Sequence, residues 1–209
     1  MPARFPRPIR RPADAFDRLV GSADAAEAAR VAHVTAAALL RRVRADESGE
    51  AVDRMLQYTR EHGIDDIAEM WSHAASRSLP GALWRLYLLR LAIHSDPALA
   101  ALLHERGTWA LTTIDAAVAG APVPAGPSEL IALIDTILRG AFVGDFAGAL
   151  ERAAAFCRVQ ASGATHVADD YEATESQRAT ALTRRALRLD LYGDDLAAAA
   201  SLWRQGALV

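Results

Sequence analysis

The chain has 209 residues, 52% hydrophobic and 23% charged, with a net charge of −3, the balance of a globular protein large enough to bury a real core. Every basic side chain other than histidine is arginine, as a GC-rich coding sequence would give, and the lack of lysine removes Schiff-base and P-loop chemistry. Cys157 is the single cysteine, which removes intrachain disulfides and cysteine-cluster metal sites.

Alanine and leucine dominate, and no stretch alternates apolar and polar residues over strand length, so the pattern predicts an all-α fold. Residues 1–12, MPARFPRPIRRP, hold four arginines and no acid. The other 19 arginines face 26 acids, a net −7, which argues against a nucleic-acid-binding surface on the body. This Arg/Pro-rich segment lacks the apolar stretch of a signal peptide, reads as a disordered tail, and places the protein in the cytoplasm.

A short helix is expected from Asp14, with Gly21-Ser22 as a break. A longer one is expected over Ala23–Arg44, burying Val31, Val34, Ala38 and Leu39. Ala51–His62 and Ile64–Ala75 follow, separated by Gly63. The second of these carries Ile64, Ile67, Trp71 and Ala74 on one stripe. The most apolar window, SLPGALWRLYLLRLAIH, opens with a Ser-x-Pro start signal. It runs about 15 residues, whereas a bilayer span needs about 20. Apolar residues surround its axis, so it reads as the middle of a bundle, with Arg85 and Arg90 either reaching out along their stems or pairing with acids on neighbouring helices. Asp96-Pro97 starts the next helix, which Gly107 is expected to close, and Thr108–Val118 makes one more.

Three prolines and two glycines in Gly120–Pro127 mark a linker between an N-terminal bundle, 13–119, and a C-terminal region, 128–209, with a shared core left open. Beyond it, Ser128-Glu129 opens a helix carrying Leu130, Leu133, Ile134, Ile137 and Leu138. Phe146–Gln160 comes next, with Ser162-Gly163 as a break. A long polar helix, Ala164–Tyr192, has a thin seam of Val167, Tyr171, Leu182 and Leu189. Gly193-Asp194 ends it and opens a last helix. The sum is an irregular multi-helix bundle around Pro80–His94, with a C-terminal helical hairpin and a long helix.

Three segments bear on chemistry. Asp66, Glu69 and His73 share a face at i, i+3 and i+7, a set able to hold a divalent metal, although the same spacing arises on the wet side of any amphipathic helix. Asp169, Asp170, Glu172 and Glu175 form the densest acidic run, comparable with the aspartate-rich segments of all-helical isoprenoid enzymes. Ala173 stands three positions after Asp170 and no second such motif is present, so the run reads as a solvated face. The arginines of the tail, Arg4, Arg7, Arg10 and Arg11, suit a phosphate backbone, although Ala23–Arg44 shows no Gly-turned helix-turn-helix. Cys157 reads as a buried thiol. The stretch GDFAGAL, Gly144–Leu150, resembles the inter-helix turn of a tetratricopeptide repeat, with Ala149 at the small position. Ile137 and Gly140 depart from that pattern and no second copy follows, which leaves a generic helical hairpin.

The expected function is that of a non-catalytic interaction or adaptor protein, acting as a homodimer or on a protein partner, with no cofactor and no membrane. The seam of Ala164–Tyr192 is thin for a lone helix and calls for a covering element. Two alternatives stand beside it: a nucleic-acid- or transcription-associated adaptor using the arginine arm, and a metal-assisted enzyme at Asp66, Glu69 and His73.

Overall fold

The computed structural model describes residues 21–46, 48, 50, 51, 53, 54, 57, 71–120 and 125–208. They form seven helices and, among the described residues, no strand: α1 (Gly21–Arg44), α2 (Leu79–Ser95), α3 (Pro97–Ala110), α4 (Asp115–Ala119), α5 (Pro127–Val143), α6 (Phe146–Tyr171) and α7 (Ser176–Arg204). The fold is all-α. No single helix among the described residues is long and apolar enough to cross a membrane.

Local chemistry starts these helices where their capping residues stand. The Ser78 hydroxyl accepts the Gly81 N–H at 3.2 Å, and Pro80 sits in the first turn of α2. Asp96 accepts the Leu99 N–H at 3.0 Å and Pro97 opens α3, which bends away from α2 by 106°. Pro127 opens α5, and Leu130, Leu133, Ile134, Ile137 and Leu138 are all buried as their spacing predicts. Arg44, in the last turn of α1, reaches the carbonyls of Phe142 and Gly144 at 3.3 Å each and satisfies the far end of α5.

Three glycines predicted to end helices instead lie inside them. The α3 helix runs through Gly107 to Ala110, α6 through Gly163 to Tyr171, and α7 through Gly193 to Arg204. Their common cause is helix crossing. A Cβ on Gly107 would stand 1.9 Å from the Val159 carbonyl oxygen, and one on Gly163 would stand 1.8 Å from that of Leu103. Here α3 and α6 touch backbone to backbone, a contact that only glycine permits. Gly193 plays a milder form of the same part, with Ala154 O at 3.2 Å and the Cys157 Cβ at 3.6 Å. Helix propensity at each site is lost by about 1 kcal/mol relative to alanine and recovered through packing.

The centre of the fold is α6, which buries sixteen residues and packs on α2, α3, α4, α5 and α7. The Leu-rich α2 is flatter against its neighbours: Leu83, Leu86, Leu89 and Ile93 are buried, whereas Leu91 is 52% exposed. Alanines explain the difference. Seven of the buried positions of α6 between Ala147 and Ala164 are alanine, and small side chains let several helices approach one axis closely. The same preference turns α1 from its expected face. Ala32, Ala36, Leu40 and Val43 are buried, while Val31 and Val34 are exposed. One apolar cluster spans both sides of the Pro/Gly segment, from Ala32 to Leu208.

The seam predicted for Ala164–Tyr192 is split between two helices and covered within the chain. Val167 on α6 and Leu182 on α7 close over Leu103, Ala164, Ala168 and Ala186 as a second apolar cluster, while Leu189 joins the main one. No second molecule is needed to bury it.

Candidate functional site

Asp66 and Glu69 lie outside the described residues, as does the arginine tail; His73 is exposed in the turn after Trp71. Trp71 itself is buried, its Nε1 3.4 Å from the Thr35 hydroxyl and its ring 6.3 Å from that of Tyr87, so it joins 71–72 to the core. Among the described residues, no three histidine, cysteine or acidic side chains come together closely enough to hold a metal ion.

The acidic run occupies the α6–α7 turn rather than the start of one long helix. Asp169 and Asp170 close α6, Glu172 caps it, and Glu175 precedes α7. Asp170 pairs with Arg106 of α3 at 3.1 Å, and Glu175 lies 3.6 Å from Arg178, whose guanidinium stacks 3.9 Å from the Tyr171 ring centroid. These pairs are half-exposed, so each contributes at most about 1 kcal/mol.

The arginines of α2 find acids, the second of the two outcomes their positions allowed. Arg90, nearly buried, donates its Nε–H to Asp135 Oδ1 at 2.6 Å, and His94 Nε2 lies 3.2 Å from the same oxygen. Arg85 reaches Asp195 at 3.0 Å and lies over the Tyr192 ring. The Arg90–Asp135–His94 set has an acid and an imidazole in hydrogen-bond contact. However, the adjacent Ser95 hydroxyl donates to Ala92 O within its own helix. The set therefore ties α2 to α5. Removing one member of so buried a pair costs roughly 3–5 kcal/mol, because the other charge is stranded.

A comparable tie joins α4 to α6. Asp115 accepts from Arg158 at 2.6 and 2.9 Å and from the Thr113 hydroxyl at 2.7 Å. The Arg158 hydrogen bonds hold its carboxyl below the ordinary carboxylate range. Two further titratable groups are simply buried. His104 stacks on Phe156 at 5.4 Å, and burial lowers its pKa. Cys157 is fully buried, and its thiol is pushed up to about 12, so it is held as an inert thiol.

Two further features lie on α7. Outward, Leu187 and Leu191 are 62% and 61% exposed, one helical turn apart. Leu187 shares a shallow cleft with Leu111, which follows the exposed Trp109 at the end of α3. Arg185, half-buried on the inner side, and Arg188, exposed on the flank, line a cleft against α2 and α6. Leu187 was missed in the sequence because it falls off the predicted seam; a four-three count of the apolar residues that the seam omits would have found it with Leu191. Compared with protein-family models, with curated proteins and with solved structures, the chain has no match.

Proposed function

We propose that this is a non-catalytic, cytoplasmic interaction protein that pairs with a second copy of itself through the outward face of α7. The observation that carries this reading is the exposure of Leu187 and Leu191 at the centre of a solvent-facing stripe. The stripe is Thr180, Arg184, Leu187, Leu191 and Asp194, in steps of four and three, all exposed. That spacing keeps one line of side chains toward a partner helix.

The order of charge along the stripe favours a copy of the same chain. Arg184 precedes Leu187 by three residues, and Asp194 follows Leu191 by three. With two α7 helices antiparallel about an axis level with Leu189, Leu187 meets Leu191 of the second copy and Arg184 meets its Asp194. Each contact is made twice, as a two-fold interface requires. Neither Arg184 nor Asp194 has a hydrogen bond or ion pair among the described residues, so both are available. Two leucines per copy make a small apolar centre, and the dimer is expected to dissociate on dilution.

Sedimentation velocity over a concentration series tests this. The wild-type chain should shift from monomer to dimer, and the Leu187→Glu/Leu191→Glu chain should stay monomeric throughout. A wild-type chain that remains monomeric at the highest concentration, or a dimer that survives both substitutions, would show that this face does not pair.

A further inference from the structure

A cleft of about 220 Å³ opens between α2, α6 and α7. Arg185, which lines it, is two residues from Leu187 and therefore about 200° around the helix, while Arg188, about 60° from Leu191, stands on the flank between the cleft and the proposed dimer face. Its walls are mostly hydrocarbon: Leu88, Leu89 and Ile93 from α2, Phe156 from α6, and Leu189 and Tyr192 from α7. The volume exceeds the roughly 150 Å³ apolar cavity that takes up benzene, so a ring with a short chain fits. Gln160 also lines it. The Gln160 Nε2 donates to Ala100 O at 2.8 Å, while its Oε1 is buried without a hydrogen-bond partner, a polar spot in an apolar wall.

The two arginines give the cleft its chemistry. Arg185 and Arg188 line both this cleft and a neighbouring one of about 640 Å³ against α3, so they stand where the two meet. Three other arginines that pack between helices reach an acid: Arg85 has Asp195, Arg90 has Asp135, Arg158 has Asp115. Arg185 and Arg188 make no hydrogen bond or ion pair among the described residues. The acid that faces them, Asp96, spends its Oδ1 on capping α3. Burial disfavours the Arg185 charge, Asp96 offsets this in part, and Arg188 adds to it by repulsion. Two like charges one turn apart, one partly buried and both facing an apolar cleft, are costly without a counter-ion and favourable with one.

We propose that this cleft binds a small organic carboxylate, its anionic group held by Arg185 and Arg188 and its apolar body seated against Leu89, Ile93 and Phe156. A guanidinium presents its donors as a planar fork that matches a carboxylate, and hydrocarbon walls suit an organic body rather than a hydrated inorganic ion.

Isothermal titration with 3-phenylpropanoate, its methyl ester and acetate tests the assignment, using a neutral Leu187→Ser/Leu191→Ser chain so that self-association does not enter and no new acid stands one turn from Arg188. The acid should bind saturably, with the ester, which lacks the charge, and acetate, which lacks the body, each at least tenfold weaker. Arg185→Gln and Arg188→Gln should each weaken acid binding about tenfold, the loss of one charged hydrogen bond. Arg30→Gln, on the exposed side of α1, should leave it unchanged. Circular dichroism identical to the parent chain establishes that the variants are folded. Saturable binding that is equal for acid and ester, no saturable binding of the acid, or unchanged affinity in both arginine variants would overturn the proposal.

Discussion

Replacing Gly163 with alanine adds one methyl group at the point where α6 crosses α3. The new Cβ would stand 1.8 Å from Leu103 O, 2.6 Å from Leu103 C and 2.9 Å from Gly107 N, all backbone atoms within a helix. Ordinary contact begins near 3.4 Å, so the helices must part by 3.4 minus 1.8, about 1.6 Å, along that line. Parting them opens the His104–Phe156 stack and the Leu103 contacts, an overpacking cost at the upper end of the usual ~1–3 kcal/mol or beyond it. Alanine returns about 1 kcal/mol of helix propensity. The expected net loss is at least about 2 kcal/mol, a fall in melting temperature of roughly 4–8 °C or more at this chain length. Gly140→Ala is the matched control. Gly140 lies within α5, and its nearest new neighbour would be the Ala149 Cβ at 3.8 Å, an ordinary contact. There the propensity gain is unopposed, and the melting temperature should rise by roughly 1–4 °C. Thermal melts followed by far-ultraviolet circular dichroism measure both. If Gly163→Ala melts at or above the wild type, α3 and α6 do not cross at these glycines and the central packing is wrong.

Three further outcomes follow from burial and from the cleft. His104 has a lowered folded pKa because burial disfavours its charged form, so the unfolded chain takes up that proton more readily; stability is complete above about pH 6.5 and declines as the pH falls below it. Urea midpoints between pH 8 and 5 should decline less steeply in His104→Phe than in the wild type; equal slopes would remove His104 from the account. The Cys157 thiol, fully buried and pushed up to about 12, should react with an aromatic disulfide reagent only in unfolding concentrations of urea. Prompt and complete reaction of the native protein would show that α6 is not enclosed there. Saturating 3-phenylpropanoate should raise the melting temperature of the wild type more than that of Arg185→Gln, because a tenfold weaker site forfeits about 1.4 kcal/mol of ligand stabilisation; equal shifts in both would put the ligand elsewhere.

What the sequence made legible was local. Ser78 and Asp96-Pro97 start helices where they stand because a cap or a proline acts on its own backbone within one turn, whereas α5 starts one residue before the expected Ser128, at Pro127. The stripe of α5 was legible because large aliphatic residues stand at helical spacing with little competition. Glycine was misread for the opposite reason. Gly107, Gly163 and Gly193 have the same local propensity as a helix-ending glycine, and only the helix that crosses them decides the outcome. The face of α1 was misread because valine outranks alanine in hydrophobicity, while close helix approach selects the smaller residue. The cleft joins residues from Leu88 to Tyr192, and the lack of a partner for Arg185 is a fact of placement, so no local pattern carries it.

The most direct test of the proposed pairing exchanges the charges at the two ends of the stripe. In an antiparallel pair, Arg184→Asp sets an acid against Asp194 of the other copy at both ends, and adding Asp194→Arg restores opposite charges at both. Sedimentation equilibrium should find the single variant weakened and the double variant returned to wild-type association. If the single variant associates as the wild type does, or if the double variant stays as weak as the single, the outward face of α7 is not where two copies meet.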